Sequence, residues 1–170
     1  MRPPMSPAAP AESTLPGLAA HYLGEYLAKI EAALAPLADE QLWWRPAEST
    51  NAIGNLLLHL HGNLSQWVLD GLGGREYTRR RGEEFAARAG APKGELLAAL
   101  AATVAACREA AAALPAAELA RVRTIQGYDV DGARALFHAV EHMSYHTGQI
   151  VLLAKALGAE LDFYPQHRGE

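Results

Sequence analysis

His138-Ala139-Val140-Glu141-His142-Met143-Ser144-Tyr145-His146-Thr147-Gly148-Gln149-Ile150 carries three histidines at four-residue steps. Apolar residues recur around them in helical register, so the spacing predicts a helix from about Asp131 to Leu157, ended by Gly158. Each helical residue turns by about 100°, so four steps leave about 40° between successive histidines. Their rings project from one face, a turn apart, which suits two ligands on one cation. It does not suit three. Eight residues span about 12 Å of helix axis, too far for ligands that must each lie about 2 Å from one ion. One end of the stripe, His138 or His146, therefore stays outside any such site.

Outward from this helix the same period marks two more, and alanine density marks a third. Leu23, Tyr26, Leu27, Ile30, Leu34 and Leu37 predict a first helix from Leu18 to Pro36. A short element follows at residues 39–46, with Asp39 as the cap of a single turn. Ile53, Leu56, Leu57, Leu60, Leu64, Trp67 and Val68 predict a second helix, capped by Thr50 or Asn51 and stopped at Gly71-Leu72-Gly73-Gly74. Residues 75–84 are charged and read as a solvated loop, including the basic run Arg79-Arg80-Arg81, for which binding an anionic substrate is the lesser alternative. Pro92 and Lys93 open an alanine-dense third helix that Pro115 closes. Residues 116–131 read as a loop with an extended piece at Val122–Ile125 before Gly127. The tail carries Phe163, Tyr164 and Pro165, suited to docking on the body.

The expected class is all-α: four helices with no clear sheet, joined by connections of more than ten residues each. Residues 1–15, with Pro3, Pro4 and Pro10, read as a flexible N-terminal arm, and 16–170 as a single domain. At 170 residues the chain is long enough to bury a core without disulfides or structural metal. The net charge of -4 argues against a general nucleic-acid binder. No stretch resembles a signal peptide or a membrane span, and cytoplasm is the expected compartment. One cysteine excludes an internal disulfide and a thiolate-rich zinc site.

Seven histidines against that one cysteine mean that imidazole must supply most of any metal site. His59, on the second helix among Ile53, Leu56, Leu60 and Leu64, lies on or beside the buried face, where a ring needs a polar partner. His61 is two residues on and points nearly the opposite way, so only one of the two can face a common site. Three imidazoles meeting inside a bundle would hold a divalent cation and leave positions open for water or substrate. His21 and His167 have no helical partner at ligand spacing. His138-Ala139-Val140-Glu141-His142 matches the inverted zinc-protease pattern, but only a short tail follows it to supply a further ligand. No Glu is followed three residues later by His, which rejects a ferritin-like di-iron site.

With these residues in hand, the sequence resembles the DinB/YfiT-like superfamily, and within it a branch of uncharacterised DinB-like proteins. The resemblance is carried by Gln41-Leu42-Trp43-Trp44-Arg45-Pro46, by Asn55-Leu56-Leu57-Leu58-His59-Leu60-His61-Gly62-Asn63 with Gln66-Trp67, by Gly71–Gly74, and by His138–Ile150. It implies a four-helix bundle holding a divalent metal on three histidines, which by position are His59, His142 and His146. His61, Asn63, Gln66, His138 and Gln149 then become neighbours that line the pocket or support the ligands. Tyr145 has the same position near His146. The superfamily's characterised members resemble thiol-dependent transferases and isomerases. The resemblance therefore implies a metalloenzyme role: a small-molecule substrate and a low-molecular-weight thiol activated for S-transfer or isomerisation. The alternative is a metal-binding or dimerising bundle without catalysis. Imidazole suits Zn, Ni, Fe and Cu alike; zinc and nickel lead the expectation, ahead of iron and manganese. Cys107 reads as a small packed residue rather than a nucleophile, so the sulfur would arrive with a cosubstrate. Trp43 and Trp44 read as anchors of their connection. The smooth alanine-rich helix suggests a homodimer.

Overall fold

A computed structural model describes residues 13–167. Most of the expected N-terminal arm lies outside the described residues, as does the side chain of His167. Helix α1 spans Leu15–Leu34 and so begins three residues before the expected start. The Thr14 hydroxyl accepts from Gly17 N at 3.2 Å. Pro16 sits in the first turn, where its missing N–H leaves no bond unmade.

A 3₁₀ turn at Asp39–Trp43 follows. Its cap is not Asp39. Gln41 Oε1 accepts the Ala38 N–H at 2.8 Å, whereas Asp39 Oδ1 accepts from Lys93 N at 3.2 Å. Asp39 thereby ties this turn to the start of the alanine-rich helix. The Trp43 ring lies against Gly54 and Gly90, where a Cβ would come within 2.8 and 2.6 Å of it. Trp44 is 40% exposed, so only the first tryptophan is an anchor.

Helix α2 spans Ile53–Leu64 and continues as a π-helical turn, Ser65–Asp70. Neither Thr50 nor Asn51 caps it. The cap is Ala52, whose N–H is accepted by Asn55 Oδ1 at 3.0 Å. Helix α3 (Arg81–Ala86) is short and falls where a loop was expected. Helix α4 (Lys93–Ala112) is the alanine-dense one, and it buries Leu96, Leu100, Val104, Cys107 and Ala111 along one stripe. Helix α5 (Ala116–Ala120) leads into a hairpin of β1 (Val122–Ile125) and β2 (Tyr128–Asp131). The strands are antiparallel, with Ile125 opposite Tyr128. The loop is Gln126-Gly127, both at positive φ (54° and 83°), as a tight two-residue turn requires. This small sheet corrects the expectation of none. Helix α6 (Gly132–Ala156) is capped by Asp131 Oδ1, which accepts from Arg134 N at 2.7 Å. Gly158 turns the chain out at φ 94°.

Helices α1, α4, α2 and α6 close a ring. α1 packs on α4 and α6, and α2 packs on the same two. The consecutive helices α1 and α2 are therefore diagonal, which the long connections permit. The ring encloses Leu23, Ile30, Leu34, Leu56, Leu60, Leu64, Leu100 and Met143, all essentially inaccessible. The hairpin docks through Ile125 and Val130 onto Trp67 and Ala135. The tail returns to α1, where Lys29 Nζ donates to Tyr164 Oη at 3.2 Å. Among the described residues no helix is long and apolar enough to cross a membrane.

Candidate metal centre

Because α2 and α6 are neighbours, their histidines meet. His59, His142 and His146 each offer one ring nitrogen, and these atoms all lie within 4.8 Å of one another. His59 is 3% exposed and His146 8%; His142 is half-buried. His59 Nε2 lies 2.8 Å from His142 Nε2. The His59 ring stands 4.9 Å from both α6 rings, and those two rings are 4.5 Å apart. Burial, aided by the neighbouring imidazoles, pushes His142 down to about 3. Burial also lowers His146, against the hydrogen bond it donates to Gln149 Oε1. Both rings are therefore neutral near pH 7, with lone pairs available for a cation.

The outward nitrogens are held. Glu84 Oε2 lies 2.9 Å from His59 Nδ1, and Gln149 Oε1 lies 2.7 Å from His146 Nδ1. An acceptor on each Nδ1 fixes the proton there and turns Nε2, unprotonated, toward the centre. Arg79 Nη2 is also 3.0 Å from His59 Nδ1. Its protons have better acceptors in Glu84 Oε2 at 2.9 Å and the His59 carbonyl at 3.4 Å, so Nδ1 keeps its own proton for the carboxylate. Arg79 Nε adds a bond to Glu84 Oε1 at 2.8 Å, making a two-pronged pair with both side chains under 10% exposed. Burial pushes the Glu84 carboxyl up, but hydrogen bonds from His59 and Arg79 together outweigh it and bring the group down to about 2.

Arg79 and Glu84 are the residues that sequence reasoning missed, since both fall in the stretch read as a solvated loop. The signal lay on α2. Asn55, His59, Gly62 and Gln66 share one face of the helix and its π-helical extension, and they seat residues 79–87. Asn55 Nδ2 donates to the carbonyls of Glu84 (2.8 Å) and Ala87 (2.9 Å). Arg45 reinforces this by bonding Asn55 Oδ1 and the Ala87 carbonyl, each at 2.7 Å. At Gly62 a Cβ would stand 2.2 Å from Glu84 Oε1, so any side chain there would force the carboxylate to shift. Gln66 Oε1 accepts from Arg79 Nη1 at 3.2 Å.

The other expected neighbours separate into two groups. Gln149 holds His146 and Gln66 holds Arg79, as above. Asn63 Nδ2 and His138 Nε2 are 3.3 Å apart beside the triad, and the His138 ring lies 4.0 Å from that of Trp67. His61, in contrast, turns away from the triad: its Nδ1 pairs with Thr103 Oγ1 of α4 at 2.7 Å. Tyr145 is 61% exposed on the outer face of α6, and His21 is exposed on α1. Cys107 is buried, its Sγ 3.7 Å from the Leu64 carbonyl, and burial pushes the thiol up to about 12.

A cavity of about 400 Å³ opens beside the triad. His59, His142, His138 and Asn63 line it from the bundle, Arg79 and Arg81 from the α2–α4 connection, and Tyr128 and Asp129 from the hairpin. It is sized for a small molecule.

The fold has relatives among solved structures. One is described as the conserved protein of locus from Enterococcus faecalis: it is 20% identical, with a TM-score of 0.68, over 81% of this chain and 94% of that one. Another is a DinB-like protein from Bacillus cereus, 17% identical with a TM-score of 0.64, over 83% of this chain and 93% of that one. These likenesses establish the fold alone. No curated protein matches the sequence. The model of a family described as "Protein of unknown function (DUF1572)" matches residues 18–163. The chain therefore belongs to that family and, through it, to the DinB-like superfamily.

Proposed function

We propose that this protein is a metal-dependent enzyme in which His59, His142 and His146 hold one divalent cation beside the cavity. Its substrate is a small molecule, and a low-molecular-weight thiol is the nucleophile for S-transfer or isomerisation. The observation that carries the reading is the donor set: three ring nitrogens within 4.8 Å, two of them turned inward by Glu84 and Gln149. A structural histidine cluster needs no such oriented lone pairs, whereas a three-ligand site with a free side does.

When bound, the cation would supply Lewis acidity that lowers the pKa of a thiol or water. The chain's own residues do the rest. Glu84 keeps the His59 proton on Nδ1, and Gln149 does the same for His146. Burial keeps His142 neutral. Asn63 and His138 offer polar atoms to a substrate at the cavity wall. The buried Cys107 cannot serve as nucleophile, so the sulfur comes with a cosubstrate. All-imidazole donors favour zinc or nickel in this reading, with iron or manganese as the alternatives.

Metal analysis of protein purified without an affinity tag tests the first half. Wild type is expected to carry about one divalent ion per chain and His142→Ala to carry essentially none; equal, negligible metal in both overturns the reading. A screen of thiols against electrophiles tests the second half. Thiol consumption that requires both metal and His142 supports the enzyme, and a metal-loaded protein inert across the screen leaves a metal-binding bundle without this catalysis.

A further inference from the structure

The wall of the cavity has a charge opposite to that of the chain. The protein carries a net -4, yet the lining holds three arginines, Arg79, Arg81 and Arg134, against one carboxylate, Asp129. Arg79 is already neutralised by Glu84, and Asp129, whose Oδ1 accepts the Thr124 hydroxyl at 2.6 Å, keeps its charge, so the wall retains a net excess of one positive charge. Arg81 and Arg134 remain. Both are exposed, and among the described residues neither side chain forms an ion pair. Arg81 is set above the Phe85 ring, 4.9 Å from its centroid, and Phe85 in turn lies 4.7 Å from the His59 ring. One cation is thus stacked one ring away from the triad. Trp67 and Tyr128, stacked at 6.5 Å, supply flat apolar surface on the same cavity.

A second observation marks the cavity as incomplete by itself. Asn63 is 3% exposed and lines the cavity, but its Oδ1 has no hydrogen-bond partner. A buried carboxamide oxygen left unpaired is costly unless a bound group or water donates to it.

We infer that the cavity takes a small organic carboxylate, its head group on Arg81 and Arg134 and its body against Trp67 and Tyr128. The inference names the substrate class for the site and rests on the reading of the cavity as the substrate pocket. Guanidinium forks suit a carboxylate, and a volume of about 400 Å³ limits the ligand to a small molecule rather than a polymer.

The test is calorimetric titration with a matched pair, 4-mercaptobenzoate and 4-mercaptobenzamide, which share ring and thiol and differ in charge. On wild type the carboxylate is expected to bind about tenfold more tightly than the amide. In an Arg81→Gln/Arg134→Gln variant the ratio is expected to fall to near one, with metal content unchanged. Both positions are exposed, so the variant should fold. A wild-type ratio near one, or a tenfold ratio surviving in the double variant, overturns the inference. Failure of the metal reading appears separately: an arginine-dependent ratio on protein that binds no metal supports the anion pocket and rejects the cation. A ratio of one on metal-loaded protein does the reverse.

Discussion

Helices α4 and α6 occupy diagonal places in the same ring, yet their sequences were made for different work. α4 buries Leu96, Leu100, Val104, Cys107 and Ala111 and is alanine-rich elsewhere; Thr103, which takes up His61, is the polar exception among its buried residues. α6 buries Leu136, Met143 and Ile150 on one side and lines the cavity with His138 and His142 along its edge. An apolar stripe is enough to hold a helix in a bundle. Imidazoles at the edge of such a stripe must be desolvated and partnered, which costs stability unless they are used. The difference suggests that stability and function sit in separate parts of the ring and can be disturbed separately.

The sharpest break of that comparison is a pair of substitutions. His142→Ala is expected to abolish metal binding while leaving the melting temperature of the metal-free protein near that of wild type. Leu100→Ala on α4 is expected to cost about 2–5 kcal/mol in denaturant unfolding, while the folded protein keeps its metal. If Leu100→Ala empties the site at full folding, or if His142→Ala unfolds the metal-free chain, the two regions are not separable.

Next in size is the carboxylate behind His59. Glu84→Gln keeps an acceptor but removes the charge, and a competition assay with a chelator should show metal affinity reduced by about 10–100-fold. Unchanged affinity would mean that Glu84 serves only Arg79. A smaller effect is expected from Gly62→Ala, whose methyl would meet Glu84 Oε1. Glu84 can swing aside, so the helix should persist with a loss in affinity smaller than that of Glu84→Gln.

A further effect concerns pH. His142 in the fold is held at about 3, against 6.5 when unperturbed, and Glu84 at about 2, against 4.5. In both cases the unfolded chain takes up its proton first as pH falls. Stability is therefore fully present above about pH 6.5 and declines from there toward pH 3, with the Glu84 contribution lost below about 4.5. Melting of metal-free protein from pH 7.5 to 4 should show a falling Tm, with a shallower slope in His142→Ala. A flat profile would contradict the burial of these groups.

The ring of helices was legible because α1, α2 and α6 repeat apolar residues with a clean period, α4 is dense in alanine, and each ends at Gly or Pro. The histidine pair on α6 was legible for the same reason, since four-residue spacing translates directly into one helical face. Arg79 and Glu84 were not. A short charged segment has no period, and its burial is decided by groups on another element, the Asn55 carboxamide and the missing side chain at Gly62. The hairpin was half legible: Val122–Ile125 read as extended, but Gln126 is an uncommon residue for a positive-φ turn, and Tyr128–Asp131 was read as part of the loop. The choice of His59 over His61 came from the resemblance. The structure supplies its physical reason, because the side of α2 that carries His61 faces Thr103 on α4.

The central claim is that three imidazoles, and no other protein side chain, bind one cation. X-ray absorption on metal-loaded, tag-free wild-type protein tests it most directly. For zinc, the account predicts three imidazole nitrogens at about 2.0–2.1 Å, completed by light non-protein ligands. A sulfur at about 2.3 Å from Cys107, or fewer than three imidazoles, would contradict it.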